Sequence, residues 1–149
     1  MERVEEHIGV EKEVTAFVCP VGATVNMDGT SLYQAVAAVF ICLALKHDLS
    51  FADQLTIIAT ATLASIGSAA VPGAGMVMLV VVLETIGLPQ EKLAIGLALI
   101  FAVDRPLDMC RTVVNVTGDA TVAMLVGKSV GKLGPPRVKD WDDNLDAII

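Results

Sequence analysis

Aromatic side chains and charges are both scarce in this chain of 149 residues. Aromatic residues make up 4% of the sequence and charged residues 18%, whereas 54% of it is hydrophobic and the mean hydropathy is +0.69. A typical soluble domain carries about 25% charged residues. The composition therefore excludes an ordinary soluble domain and indicates a membrane protein.

Several sequence signatures of chemistry are also missing. The three cysteines lie in apolar stretches without a CxxC pair, so neither a metal site nor a disulfide is expected of them. The net charge is −7 and the basic residues form no stripe, which argues against a nucleic-acid partner. The segment PGAG lacks the full GxGxxG spacing, so no dinucleotide cofactor is expected. No Ser–His pair or zinc motif supports an enzyme, although an intramembrane hydrolase with paired aspartates is an alternative.

The first of three long apolar segments covers residues 14–45. It runs for 32 residues with a single charge, Asp28, and exceeds the ~20 residues that a membrane span needs. Its middle, GATVNMDGT (residues 22–30), is rich in glycine and polar groups. We therefore expect a transmembrane helix that is broken at this point.

The second apolar segment, residues 54–83, has 30 uncharged residues. Its centre, SIGSAAVPGAG (residues 65–75), holds three glycines, a proline and two serines, which disfavour a continuous helix. The flanks are each too short to cross a membrane, so the pattern predicts a re-entrant helical hairpin. Its non-helical tip must then be buried in protein or line a wet cavity. A hairpin in a soluble core is the alternative.

The third segment, residues 93–127, is predicted to be the final transmembrane helix. At ~100° per residue, polar residues spaced by four, three, four and four fall within roughly 80° of one another. These residues are Asp104, Asp108, Arg111, Asn115 and Asp119. A charge near the centre of a bilayer costs about 2.5–3.5 kcal/mol, so this polar face should point into a helix bundle and mark a substrate or ion path. In a soluble protein it would be an ordinary solvated face.

The distribution of Lys and Arg predicts the orientation of the chain. Two of these residues lie in the loops, Lys46 and Lys92, and six lie towards the two ends of the chain: Arg3, Lys12, Lys128, Lys132, Arg137 and Lys139. The positive-inside rule then places both ends in the cytoplasm, residues 1–13 as a lead-in and residues 129–149 as a tail, and the hairpin enters from outside. The first 13 residues carry no apolar core, so no signal peptide is expected.

Two broken membrane segments and one polar helix face together describe a discontinuous site near the membrane midplane. Unwound backbone carbonyls with Asp and Asn oxygens suit a hard monovalent cation, and half-helix N-termini suit an anionic substrate group. Arg111 offers a planar fork for a carboxylate, and Asp108 is placed to take an ammonium one turn away. This combination is typical of an amino-acid site.

The motifs NMDGT, SIGSAAVPGAG and DxxxDMxRTxxNVTGD, in this order, resemble those of the sodium:dicarboxylate/glutamate symporter family. The match runs from about Val10 to Lys128. It implies an all-α membrane protein, in which residues 14–128 form part of an elevator-type transport domain. It also implies symport of glutamate or aspartate with sodium ions, by a multi-pass homotrimer in the plasma (cell inner) membrane, with no enzyme activity and no cofactor.

The resemblance also implies roles for individual residues. Asp108 would bind the substrate amino group and Arg111 the side-chain carboxylate. The other substrate contacts would come from Thr30, Thr112 and Asn115, and from backbone groups of Val71 and Gly75. One sodium ion would be held by carbonyls of Gly22, Asn26 and Asn115 with the carboxylate of Asp119. A second would use the backbone of Thr24, Ser65, Ile66 and Ser68. A third would use Asp28 and the Asn26 side chain, with Met27 between the cation sites.

The sequence departs from the family pattern in places. Ala70 stands where glycine is common, and Pro106 and Cys110 are atypical neighbours of the substrate aspartate. Nothing matches the first hairpin or the six earlier helices, so we expect the C-terminal part of a transporter. A C4-dicarboxylate or proton-coupled symporter of the same family, and a non-transporting gene remnant, are alternatives. Gln34 stands where animal glutamate carriers have a proton-carrying glutamate, and an amide cannot titrate.

Overall fold

The structure, a computed structural model, describes residues 1–68, 71 and 73–137. A π-helix, Val4–Ile8, precedes six α-helices: α1 (Lys12–Val25), α2 (Asp28–Ala44), α3 (Phe51–Ser65), α4 (Ala74–Thr85), α5 (Gln90–Phe101) and α6 (Asp104–Ser129). The described residues form no β-strand, only an isolated bridge between Val10 and Leu133. The all-α class is therefore confirmed. Ala70 and residues 138–149 of the predicted tail lie outside the described residues.

The chain divides into two compact units. The first unit comprises residues 1–22 and the chain from Thr117 onwards, and the second comprises residues 23–116. In the first unit the two ends of the chain pack together: Gly134 N donates to Gly9 O at 2.9 Å and Arg137 N donates to Glu6 O at 2.8 Å. Lys132 pairs with Glu13, and this hydrogen bond raises the pKa of Lys132. The hydrophobic core of this unit contains Val14 and Val18 of α1 and Ala123 of α6.

The second unit is built around α2, which packs against α3, α4 and α5. Its core contains Ile41 of α2, Ile57 of α3 and Leu79 and Leu83 of α4, all at most 1% exposed. Gly96 lets α5 approach α2 closely, because a Cβ there would lie 3.3 Å from Ile41 Cγ1 and nearer still to Cγ2. This packing fixes α2 beside the hairpin helices α3 and α4.

The predicted break in the first apolar helix is present. The helix stops at Val25 and restarts at Asp28, inside the polar segment that the sequence singled out. The N-cap residue of α2, Met27, makes no side-chain capping bond, as expected of a thioether. The first amides of α2 must therefore find acceptors elsewhere in the protein.

The two short helices of the predicted hairpin are α3 and α4, which pack against each other. Ser50 and Asp53 form a capping box at the start of α3, and their hydrogen bonds lower the pKa of Asp53. Between the helices, Gly67 and Gly73 have φ angles of +89° and +85°, which favour glycine. Entry of this hairpin into a membrane from one side stays a prediction.

The single helix predicted over residues 93–127 is divided into two helices in the structure. The structure interrupts it at Ala102 and Val103, between α5 and α6. Pro106 explains the interruption, because it has no N–H to donate to Ala102. By restarting at Asp104, the chain places Pro106 in the first turn of α6, where an N–H would have no partner in the helix.

One stretch of the described residues, Lys12–Ala44, is long and apolar enough to cross a membrane, at 33 residues including the break. Ala74–Thr85 is apolar but shorter.

Candidate functional site

The polar face of α6 is buried or half-buried, and its apolar face is exposed. Within the second unit, Asp104 and Arg111 are 7% and 8% exposed, whereas Met109 and Val113 are 72% and 66% exposed. A surface helix of a soluble protein shows the reverse arrangement. The inward direction predicted for this face is therefore confirmed for Asp104 and Arg111, and the side chain of Asp108 is 14% exposed.

Arg111 is the centre of a cluster of charged and aromatic groups. Its Nη2 lies 2.5 Å from Asp108 Oδ1, and its Nε donates to the same oxygen at 2.8 Å. The guanidinium also lies over the ring of Tyr33, 5.2 Å from the centroid. The Tyr33 hydroxyl donates to Asp104 Oδ1 at 2.8 Å. Arg111 and Asp108, which are predicted to bind the opposite charges of a substrate, thus form an ion pair with each other.

One nitrogen of Arg111 has no such partner. Nη1 is buried and makes no hydrogen bond to any described residue. It lies against Gly75 in the first turn of α4, in the space that a Cβ of residue 75 would take. Unpaired buried donors are rare in proteins and call for an explanation. An incoming carboxylate would be a suitable acceptor, because a guanidinium can bind it through two parallel hydrogen bonds.

Asn115 of α6 binds the start of α2. Gly29 N donates to Asn115 Oδ1 at 2.8 Å, and Asn115 Nδ2 donates to Thr30 Oγ1 at 3.2 Å. The Asn115 amide therefore supplies the acceptor that Met27 does not. A Cβ at Gly29 would lie 3.0 Å from Val114 Cβ, so glycine is what lets the two helices approach. The predicted substrate residues Thr30, Asn115, Arg111 and Asp108 thus fall on adjoining turns of two contacting helices.

The two chain segments predicted for the second sodium ion, Thr24 and residues 65–68, are in contact in the second unit. Gly67 N donates to Thr24 O at 2.9 Å, which joins the end of α1 to residues 65–68. The Ser65 hydroxyl donates to Thr62 O at 2.8 Å. The Ser68 hydroxyl is buried, and no described residue accepts or donates a hydrogen bond to it. A backbone hydrogen bond therefore joins the two chain segments at this point.

Part of the first predicted sodium set lies in the first unit. The Asp119 carboxylate packs against the α-carbon of Gly22, so that a Cβ on Gly22 would lie 2.7 Å from Asp119 Cγ. Asn26 and Asn115, the other members of the set, belong to the second unit. A common site for all four residues stays a prediction.

Some predicted site residues do not join the cluster. Thr112 is exposed, and its hydroxyl donates to Asp108 O in its own helix at 2.8 Å. Val71 is 57% exposed, and Asp28 is also exposed.

Met27, by contrast, is buried at the break, where the resemblance placed it between cation sites. Ile66 is 50% exposed, but its neighbour Gly67 holds it beside Thr24.

Tyr33 is a site residue that the sequence reasoning missed. It is the chain's single tyrosine, three residues after Thr30, and positions three apart share a helix face. The spacing from Thr30 could have identified Tyr33 as a site residue.

Gln34, singled out by the resemblance, is fully buried, and neither amide atom is hydrogen-bonded to a described residue.

Comparison with known proteins assigns the family. The sequence profile of the sodium:dicarboxylate symporter family matches residues 1–129. The chain belongs to the sodium:dicarboxylate symporter family. This is a family of membrane transporters rather than enzymes, so the hydrolase alternative is set aside, and its name gives sodium as the coupled ion.

Curated relatives agree with this assignment. The chain is 53% identical over 123 residues to an excitatory amino acid transporter of Onchocerca volvulus, covering 83% of this chain and 24% of the relative. It is 56% identical over 124 residues to excitatory amino acid transporter 3 of Oryctolagus cuniculus, covering 83% and 23%. The human excitatory amino acid transporter 1 is 51% identical over 123 residues, covering 83% and 22%. The chain thus spans about a quarter of the length of these relatives.

Proposed function

We propose that this chain carries the substrate site and the sodium ligands of a carrier that moves glutamate or aspartate across a membrane together with sodium ions. One observation carries the proposal: Arg111 is buried beside Asp108 and keeps one nitrogen without a hydrogen-bond partner among the described residues. The names of the relatives, excitatory amino acid transporters, agree with an acidic amino acid as substrate.

Substrate binding would proceed as an exchange of ionic partners. The substrate's side-chain carboxylate approaches Arg111 and accepts hydrogen bonds from Nη1 and a neighbouring nitrogen. The substrate's ammonium group approaches Asp108 and replaces Arg111 as the ionic partner of the Asp108 carboxylate. Arg111 and Asp108 each have an oppositely charged partner before and after substrate binding. This avoids the several kcal/mol that an unpaired buried ion costs.

The ion sites follow from the resemblance and from the contacts inside each unit. In the first unit, Gly22 provides the space in which the Asp119 carboxylate lies. In the second unit, the Thr24 carbonyl accepts a hydrogen bond from Gly67 N, next in sequence to the buried Ser68 hydroxyl. Oxygen ligands of this kind suit a hard cation such as Na⁺.

The remaining parts of the proposal concern the whole carrier. The hairpin of α3 and α4 would enter from outside as the extracellular gate, and both ends of the chain would lie in the cytoplasm. This chain would be the C-terminal part of a homotrimer in the plasma membrane. Uptake would proceed without proton transfer at Gln34, because an amide does not titrate.

Uptake by a full-length carrier tests the proposal. The aligned segment of the rabbit excitatory amino acid transporter 3 is replaced by this chain, and uptake of labelled aspartate, succinate and alanine is measured with and without sodium. We expect sodium-dependent aspartate uptake. Succinate should be poorly taken up, because without an ammonium group it leaves Asp108 unpaired.

The unaltered rabbit carrier and cells without a carrier are the controls. Sodium-driven uptake of succinate at the rate of aspartate would instead support a C4-dicarboxylate carrier. Aspartate uptake that does not require sodium would contradict the coupling.

A further inference from the structure

We infer that Gly75 is a positioning residue for Arg111, because its missing side chain is the space that the guanidinium occupies. A Cβ built on Gly75 would lie 2.6 Å from Arg111 Cζ and 3.0 Å from Nη2, and closer still to Nη1. Cβ contacts shorter than 3.0 Å are essentially never found in proteins, and both residues are buried. Arg111 could not keep its place if residue 75 carried any side chain.

Charge alone would not hold Arg111 at this position. Gly75 lies in the first turn of α4, which begins at Ala74, and the N-terminal end of a helix carries partial positive charge. A guanidinium gains nothing there, and its Nη1 finds no acceptor among the described residues. Asp108 and the Tyr33 ring attract Arg111 from α6 and α2, and Gly75 supplies the space on the remaining side.

The consequence for recognition rests on the proposed function. If Arg111 binds the second carboxylate of the substrate, then residue 75 determines whether the site can select acidic over neutral amino acids. The three atoms nearest to a Cβ at position 75 all belong to Arg111, so an alanine there would act through Arg111. Recognition of an ammonium group would therefore survive while the preference for an acidic side chain is lost.

The test is made on the complete 149-residue chain in lipid nanodiscs by ¹⁵N NMR of the arginine Nε–H groups. The chain has four arginines, and Arg111→Lys identifies the Arg111 signal by removing it. In the wild type the Arg111 Nε–H donates to Asp108, so its hydrogen exchange should be slow. In Gly75→Ala we expect exchange at least tenfold faster, because the guanidinium is displaced.

The matched control is Gly96→Ala, which adds a methyl group to a buried glycine of the same unit. That methyl meets the Ile41 side chain rather than Arg111, so the Arg111 signal should keep its slow exchange. An unchanged Arg111 exchange rate in Gly75→Ala would overturn the inference. Faster exchange in both glycine variants would also overturn it, since it would show general loosening.

A double-mutant cycle covers the case in which Gly75→Ala folds poorly. In the Arg111→Ala background the space beside residue 75 is empty, so Gly75→Ala should leave the Tm unchanged or raise it, because alanine favours a helix. In the wild-type background the same change should lower the Tm by several degrees. An equal fall in Tm in both backgrounds would contradict the inference.

Adding aspartate or alanine to the same samples separates the two claims. The proposed function predicts that aspartate, and not alanine, shifts the wild-type Arg111 Nε signal. If neither ligand shifts it, the proposed substrate site fails in this chain, whereas the exchange rates still decide whether Gly75 positions Arg111.

Discussion

Single side chains explain why α6 buries its charges. Arg111 and Asp108 form an ion pair, and Tyr33 lies under the guanidinium while donating to the buried Asp104. Each buried charge therefore has an opposite charge or a hydrogen-bond donor, the condition under which burial is tolerated. The unpaired Nη1 of Arg111 is the exception, and it is the atom to which the proposal assigns the substrate.

Tyr33→Phe should destabilise the protein, because it removes the hydroxyl that donates to the buried carboxylate of Asp104. A buried acceptor left without its donor costs about 1–3 kcal/mol, so the free energy of unfolding in detergent micelles should fall by that amount. The control is the same change in an Asp104→Ala background, where it should cost much less. Equal costs in the two backgrounds would show that the hydrogen bond does not matter.

Gly22→Ala should weaken sodium binding, because its methyl group would displace the Asp119 carboxylate. Disturbing the support of a metal ligand typically lowers affinity by about 10–100-fold. The measurement is the half-saturating sodium concentration for aspartate uptake by the grafted full-length carrier. Gly127→Ala is the control, since its methyl would meet Val10 and the Lys132 backbone instead of a carboxylate. An unaltered sodium requirement in Gly22→Ala would remove Asp119 from the ion site.

At the scale of the helices, the positions of the helix breaks were predictable from the sequence, but the contacts between helices were not. The polar segment around Asn26 predicted the break between α1 and α2, and the glycines near Gly73 predicted the break between α3 and α4. Glycine and short polar residues disfavour a helix whatever surrounds them. Pro106 lies inside the predicted final helix, and there the structure ends one helix at Phe101 and begins another at Asp104. The capping of α2 by Asn115 was not predictable, since its residues are 86 positions apart.

The start of α3 provides a prediction about pH. The Ser50 hydroxyl and backbone N–H both donate to Asp53 Oδ2, at 2.7 and 3.0 Å, and they lower the pKa of Asp53. Since the folded state has the lower pKa, this contribution to the stability of α3 is present at neutral pH and is lost as the pH falls through the folded-state pKa.

Ser50→Ala should therefore raise the pKa of Asp53 towards its ordinary value and weaken the acid dependence of α3. The measurement is a ¹³C NMR titration of the Asp53 carboxyl group. Ser50→Thr keeps the hydroxyl and should keep the low pKa. A low Asp53 pKa in the alanine variant would mean that the Ser50 hydroxyl is not its main cause.

At the scale of the whole molecule, the sequence predicted which residues of α6 share a face but not how the chain divides into units. Asp108, Arg111 and Asn115 were expected on one helix face from their spacing, and Thr30 was added by the resemblance; the four are found on contacting helices. The division into two units was not anticipated, because it depends on the return of residues 130–137 to the start of the chain. Such long-range contacts leave no periodic pattern in a sequence.

The chain of 149 residues by itself should not transport. It spans about a quarter of the length of its relatives, and one stretch of its described residues is long and apolar enough to cross a membrane. Proteoliposomes that contain this chain alone should show no sodium-driven aspartate uptake, whereas liposomes with the grafted full-length carrier should show it. Uptake by the chain alone at a comparable rate would contradict this expectation.

The central claim is that Arg111 selects acidic substrates, and Arg111→Cys in the grafted full-length carrier tests it most directly. The measurement is the ratio of sodium-driven aspartate uptake to serine uptake, compared with that of the unaltered graft. We predict that the ratio reverses, because the variant loses the group that binds the second carboxylate and keeps Asp108 for the ammonium group. An acidic preference that survives Arg111→Cys unchanged would contradict the account.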